Sequence, residues 1–180
     1  MASTASRTPE LALPVASLAA LTDALMTRVG AEAAAQALRE AGHAAGDALH
    51  RILTTSGNDV AGMPADRFWQ HLSRLFSSRG WGTFAFSQPH PGVGALDTTD
   101  WFEARPEAGA AQPCCHFTTG VLANVLGTVA GSDVAVMEVE CRTRGDQRCR
   151  FLIGGADAVF AVYERMAAGD RADTAIAQLG

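Results

Sequence analysis

The stretch V-A-V-M-E-V-E-C-R-T-R-G-D-Q-R-C-R-F-L-I, Val134 to Ile153, decides how this chain folds. Its apolar ends, Val134 to Cys141 and Arg150 to Ile153, read as two strands. The polar segment between them carries Gly145-Asp146, a pair with the chemistry of a tight turn. An antiparallel hairpin follows, and its closure brings Cys141 and Cys149 to the same mouth. Just upstream, a helix is predicted from about Cys114 to Val129, with Phe117, Val121, Leu122, Val125, Leu126 and Val129 as its apolar face. Gly131-Ser132-Asp133 ends that helix, and Cys115 stands at its head.

Cys115, Glu138, Cys141 and Cys149 thus offer three soft thiolates and one carboxylate around the hairpin. Zinc takes S and O donors in tetrahedral geometry, and closed four-donor sites are usually structural. The hypothesis carries a requirement. Glu138 and Cys141 are three positions apart, which in a regular strand puts them on opposite faces. A bulge or strand end near Val139 to Cys141 is needed to unite them. Spacing alone leaves the donor choice open, because Cys114 adjoins Cys115 and His116 is a further candidate. Arg142, Arg144, Arg148 and Arg150 are expected to offset the negative site through outer hydrogen bonds.

Further out, the apolar residues Leu18, Leu21, Leu25 and Met26 predict a helix over about Ser17 to Arg28, broken by Gly30. A second helix runs from about Ala31 to Leu53, with Ala35, Leu38, Ala41, Ala45, Leu49 and Leu53 along one side. Two glycines inside it, Gly42 and Gly46, point to a packing constraint. The segment 54–66 reads as a loop, and a third helix follows over about Ala65 to Ser78. Strands are predicted at Thr83 to Ser87 and near Val93 to Thr98, with a third segment around Trp101 to Ala104, and a last helix spans about Ala156 to Ala168. The order is that of an α+β domain with a mainly antiparallel sheet packed with helices. Residues 1–12 are expected to form a loose tail, 13–168 one domain, and 169–180 a C-terminal tail.

Composition narrows the functions. The 180 residues suit one domain with a sizeable core. A net charge of -5 argues against nonspecific phosphate binding, so no direct nucleic-acid partner is expected. All 14 basic residues are arginine. Without lysine there is no P-loop and no Schiff-base chemistry. The apolar stretch Leu11 to Leu21 lacks a basic flank and continues as an amphipathic helix, which favours a helix over an export signal. No apolar run is long enough to span a membrane. A cytoplasmic location is expected, where thiols stay reduced and metal binding is favoured over disulfides.

The string E-V-E-C-R-x-R-G-D-x-x-C-R-F from Glu138 to Phe151, with a Cys-led helix before it, resembles the 4-vinyl reductase domain family. That family includes sensory domains of phenol- and toluene-responsive activators and is related to trafficking-complex subunits. Its phenol sensors bind zinc through a Cys, a Glu and two further Cys. Gap-free matching places these at Cys115, Glu138, Cys141 and Cys149, selecting Cys115 over Cys114. L-R-E-A-G-H-A-A-G-D-A-L, Leu38 to Leu49, also resembles the family's glycine-bearing helix. The resemblance implies the α+β fold of the NO-signalling and Golgi-transport ligand-binding class, a homodimer, and an apolar cavity near the zinc lobe. Thr119, Val125 and Val136 stand where the family often carries bulky aromatics, which departs from a phenol pocket.

The expected function is small-molecule binding with structural zinc, in a sensory or regulatory role that passes a signal to a separate protein. Phe68, Trp69, Trp81, Phe84, Phe86, Trp101 and Phe117 are the candidate ligand-binding residues for a small apolar or aromatic molecule. His90, His116 or Trp101 would supply a polar anchor. Two alternatives remain: a tetrapyrrole vinyl reductase or accessory protein, and a trafficking-like scaffold that binds proteins. Hydride transfer needs a nicotinamide or flavin, and the chain has no G-x-G-x-x-G; Gly92-Val93-Gly94 is a fragment of one. No catalytic residue is assigned.

Overall fold

Period-two burial in the strands divides the molecule into layers. The computed structural model describes residues 9–55, 60 and 62–180. Most of the expected N-terminal tail, and positions 56–59 and 61 of the expected 54–66 loop, lie outside the described residues. Six helices and four strands follow in order: α1 Val15–Val29, α2 Ala31–Thr55, α3 Ala65–Ser77, β1 Ala85–His90, β2 Val93–Thr98, α4 His116–Ala130, β3 Ala135–Glu140, β4 Cys149–Gly154, α5 Ala156–Ala167 and α6 Ala172–Ala177. The strands form one antiparallel sheet in the order β1-β2-β4-β3.

Alternating residues of β2 and β4 serve opposite cores. Leu96 and Phe151 face a core shared with α2, α3 and α4. Val93, Ala95 and Leu152 face a second core with Val162 of α5 and with Ala172, Ala175 and Ile176 of α6. Helices therefore cover both faces of the sheet, in agreement with the α+β expectation. Residues 172–177, expected within a tail, instead form α6. Its small apolar residues are too few to show helical periodicity, and only contact with the sheet reveals their burial.

The side of α2 that packs differs from the expected one. Ala34, Ala35, Leu38, Gly42, Gly46, Leu49 and Leu53 are buried, whereas Ala41 is exposed. Hydrophobicity favoured alanine, but contact with α4 selects the glycines. A Cβ at Gly42 would overlap the carbonyl of Phe117, and one at Gly120 of α4 would overlap the carbonyl of Arg39. A Cβ at Gly46 would lie 2.6 Å from Asn124 Cβ. The two helices thus approach until backbone occupies the place of side chains.

The start of α4 is fixed from another direction. Trp101 to Ala104, expected as a further extended segment, turns back instead. Trp101 is buried and its indole N–H donates to Thr118 Oγ1 at 2.6 Å, while Phe102 N–H donates to Trp81 O at 2.9 Å. These long-range bonds take the donors a strand neighbour would need. Glu103 then meets the unpaired amides of the first helical turn. Its Oε1 accepts Phe117 N–H at 2.9 Å, and its Oε2 accepts Thr118 N–H at 2.8 Å and the Thr118 hydroxyl at 2.6 Å. Burial pushes the Glu103 carboxyl up to about 7, against the opposing pull of those donors.

Two outcomes are expected. Gly120→Ala should lower stability by about 2 kcal/mol or more, because the new methyl meets backbone and not a movable side chain; a urea midpoint equal to wild type would contradict the close crossing. Glu103 gives up its proton near 4.5 when unfolded and near 7 when folded. The folded state then binds more protons between these values, so this group's contribution to stability falls as pH rises through that window and is flat above it. Glu103→Gln should remove that slope in urea titrations across the window, and an unchanged slope would mean that the carboxylate is ionised throughout.

Candidate metal centre and aromatic layer

A register shift in β3 satisfies the requirement on Glu138. Glu138 pairs with Phe151 and Glu140 with Arg150, so Val139 is the extra residue of a bulge. Val139 turns into the second core, and Glu138 and Cys141 come to the same side. The chain then tightens into a 3-10 turn over Arg142–Arg144, closed by Gly145 at φ 100°. Asp146 holds this turn against the strand end: its Oδ2 accepts Cys141 N–H at 2.7 Å, and its own N–H donates to Cys141 O at 3.2 Å. Cys149 opens β4 opposite Cys141. Cys115 arrives as the residue before α4, with its carbonyl accepting Thr119 N–H at 3.1 Å.

The four donor atoms of Cys115, Glu138, Cys141 and Cys149 lie within 4.8 Å of one another. Cys115 Sγ is 3.9 Å from Cys141 Sγ and 4.0 Å from Cys149 Sγ. All three cysteines are 0 % exposed and Glu138 is 9 % exposed, so the cluster is sealed from solvent. Cys114 is half-buried and also 3.9 Å from Cys141 Sγ, yet it stands outside the mutually close set, as does His116. Burial, then the charge of Arg39, lowers the His116 pKa.

The electrostatics of this cluster call for a cation. Hydrogen bonds from Cys114, Cys115 and Cys149 pull Cys141 far below the ordinary thiol range. Cys114 and Cys115 are pushed far up, first by their bonds to Cys141 and then by burial. Cys149 also rises: its bond to Cys115 lowers it, but its bond to Cys141 and its burial outweigh that. Burial lifts Glu138 to about 8, and the neighbouring Cys141 thiolate adds to the rise. Glu138 Oε2 accepts Cys115 N–H at 2.8 Å, while Oε1 is buried without a partner among the described residues. One anion is all that these groups sustain by themselves. A metal ion reverses this balance, because it favours the deprotonated form of each ligand. The donor chemistry, the spacing and the orphaned Glu138 oxygen all fit a metal ion at this position.

The arginines differ from expectation. Arg148 and Arg150 flank Cys149, so strand alternation aims them at the opposite face. There Arg148 bonds Glu140 at 2.9 and 3.1 Å, and Arg150 bonds Asp97 at 2.7 and 2.9 Å and Asp173 at 2.6 Å. Arg144 bonds Asp146 and the Val139 carbonyl, the latter at 2.9 Å. Among the four, only the backbone N–H of Arg142 touches the cluster, donating to Cys149 Sγ at 3.4 Å. The arginines lock the hairpin and do not screen the thiolates.

All seven aromatic candidates join one layer between the helices and the sheet. Trp69 stacks on Phe86 with centroids 4.0 Å apart and meets Phe68 edge-on at 4.9 Å. Trp81 packs on Phe117 at 6.0 Å, and Trp101 lies 6.5 Å from Phe84. Phe76 and Phe102, which sequence reasoning passed over, bridge the groups: Phe76 stacks on Trp81 at 5.4 Å, and Phe102 lies 4.9 Å from the same ring. Trp69, Phe84 and Phe86 also border a groove of about 740 Å³ between α3 and β1, whose polar edge includes Gln70 and Ser73. Phe86 fills the space over Gly94, where a Cβ would lie 2.8 Å from its ring. Two of the expected anchors are engaged locally, since Trp101 N–H serves Thr118 and His90 Nδ1 accepts Gly92 N–H at 3.1 Å.

A family model for the 4-vinyl reductase (4VR) domain matches residues 98–155, from the end of β2 to the residue before α5. The crystal structure of the phenol-responsive sensory domain of the transcription activator PoxR with phenol is similar, with a TM-score of 0.67 at 20% identity, covering 81% of this chain and 76% of that one. A vinyl-4-reductase family protein from Methanocaldococcus jannaschii aligns with a TM-score of 0.52 at 19% identity, over 81% of this chain and 82% of that one. At such identities the likeness is one of fold. No curated protein matches the chain. No helix among the described residues is long and apolar enough to cross a membrane. Residues 98–155, which hold all four donors, are a 4-vinyl reductase domain, carried on an α+β fold similar to that of the PoxR sensory domain.

Proposed function

We propose that this chain is a small-molecule-binding sensory or regulatory domain braced by a structural zinc ion. The sealed set of three thiols and one carboxylate carries the reading. Thiolates about 2.3 Å from a tetrahedral zinc lie about 3.8 Å apart, close to the 3.9 and 4.0 Å separations here. Four protein donors leave no open position, which favours a structural metal over a catalytic one. Zinc at Cys115, Glu138, Cys141 and Cys149 ties the head of α4 to both strands of the β3–β4 hairpin. Its part is to hold these elements, and binding falls to the aromatic layer beside them.

The fold similarity to a phenol-responsive sensory domain supports a small apolar or aromatic ligand. The groove bordered by Trp69, Phe84 and Phe86 offers it aromatic faces. Phe68, Trp81, Trp101 and Phe117 complete the layer behind that groove. A homodimer fits the apolar side chains left on the surface, among them Leu21 and Val29 on α1 and Phe160 and Tyr163 on α5. A separate signalling protein then receives the output in the cytoplasm.

Metal analysis of purified protein should find about one zinc per chain, and Cys141→Ser should lose it together with at least about 2 kcal/mol of stability. Full stability in a zinc-free protein would remove the structural role. Titration with phenol and toluene, followed by tryptophan fluorescence, should show binding that Trp69→Ala weakens about tenfold with the zinc content unchanged. Equal affinity in that variant would move the ligand out of the groove.

A further inference from the structure

A cavity of about 200 Å³ lies under α1, apart from the groove between α3 and β1. Leu18, Ala19 and Met26 of α1 form its roof, and Phe102, Glu103 and Cys114 lie on the facing wall. None of the residues of α1 is buried, so the helix is a cover and not a core element. Two ion pairs fasten this end of the chain to the body. Arg105 forks onto Asp23 at 2.9 and 2.7 Å, and Arg79 forks onto Glu10 at 2.7 and 3.0 Å. Exposed pairs of this kind contribute little. How firmly α1 sits therefore depends on what its inner face covers.

The cavity combines apolar walls with one buried acceptor. Glu103 Oε2 takes two donors from Thr118, whereas Oε1 takes only Phe117 N–H. A carboxylate oxygen has about two lone-pair positions, so Oε1 retains one. An apolar cavity of about 150 Å³ is enough for benzene. The space under α1 therefore suits a slightly larger flat molecule, such as a fused pair of rings.

We propose that the cavity under α1 is a second binding site, which takes a flat one- or two-ring aromatic molecule whose N–H or O–H donates to Glu103 Oε1. An occupant adds contacts to the inner face of α1 and holds the helix onto the body, since a ligand stabilises the state that binds it. The site is independent of the α3–β1 groove and of the ligand proposed there.

Indole is the probe, titrated calorimetrically into the full chain, with benzofuran as a partner of equal size that lacks the N–H. Ala19→Trp fills the cavity from its roof, and Trp69→Ala alters only the groove. Indole binding should weaken at least about tenfold in Ala19→Trp and stay unchanged in Trp69→Ala, and benzofuran should bind about tenfold more weakly than indole. If Ala19→Trp melts well below wild type, Ala19→Met fills part of the same space and should weaken indole binding in the same direction. The proposal is overturned by the absence of indole binding at about 1 mM. It is also overturned by unaltered binding in a folded cavity-filling variant, by an equal loss in Trp69→Ala, or by benzofuran binding as tightly as indole. Phenol binding that Trp69→Ala weakens would still stand for the groove in each of these cases.

Discussion

The crossing of α2 and α4 is the constraint from which the rest of the structure follows. Gly42 and Gly120 bring each helix against a backbone carbonyl of the other, and no larger residue permits that approach. The depth of α4 is thereby set, and with it the height at which Cys115 meets the hairpin. A helix held away from α2 by even one methyl group would carry Cys115 from Cys141 and Cys149. Glu103 fixes the same helix along its axis by taking up its first free amides. Packing and capping thus position one metal donor before any metal is considered.

The hairpin supplies the other three donors through a local irregularity. A regular β3 would leave Glu138 and Cys141 on opposite faces, but the bulge at Val139 reunites them. The cost of the bulge is an unpaired ladder position, and the fold offsets it by burying Val139 in the second core. The arginine-carboxylate network on the other face of the sheet then holds β2, β3, β4 and α6 together. Asp97 and Glu140 are shared between Arg148 and Arg150, so this face is a mesh and not a set of isolated pairs. Metal donors on one face and ion pairs on the other give the hairpin two independent restraints.

The aromatic layer sits between these supports. Its rings are in mutual contact, which gives the layer a packing role whatever else it does. The groove at Trp69 and Phe86 and the cavity under α1 lie at different edges of the molecule, one beside β1 and one beside the turn that carries Glu103. Both border parts of the chain with few buried residues, β1 and α1. These are the elements that can shift at least cost when a ligand enters.

Much of the site was legible in the sequence because its signals are local. Thiol and carboxylate donors are rare enough to stand out, and their spacing about a turn marked the hairpin, named Cys115, Glu138, Cys141 and Cys149 and required the bulge. Helical and strand periodicity located most elements to within a few residues. What the sequence could not carry is set by partners far along the chain. Glu103 looks like any loop carboxylate until Phe117 and Thr118 are beside it, and the packing side of α2 runs through glycines that a hydrophobicity pattern ignores. Arg148 and Arg150 read as neighbours of a thiolate, yet alternation along β4 turns them away. The residues after 168 lack an apolar pattern of their own and gain their order from the sheet. Local chemistry and periodicity were written in the chain, whereas close approach, direction and burial were decided by tertiary contacts, since each depends on atoms that only folding brings together.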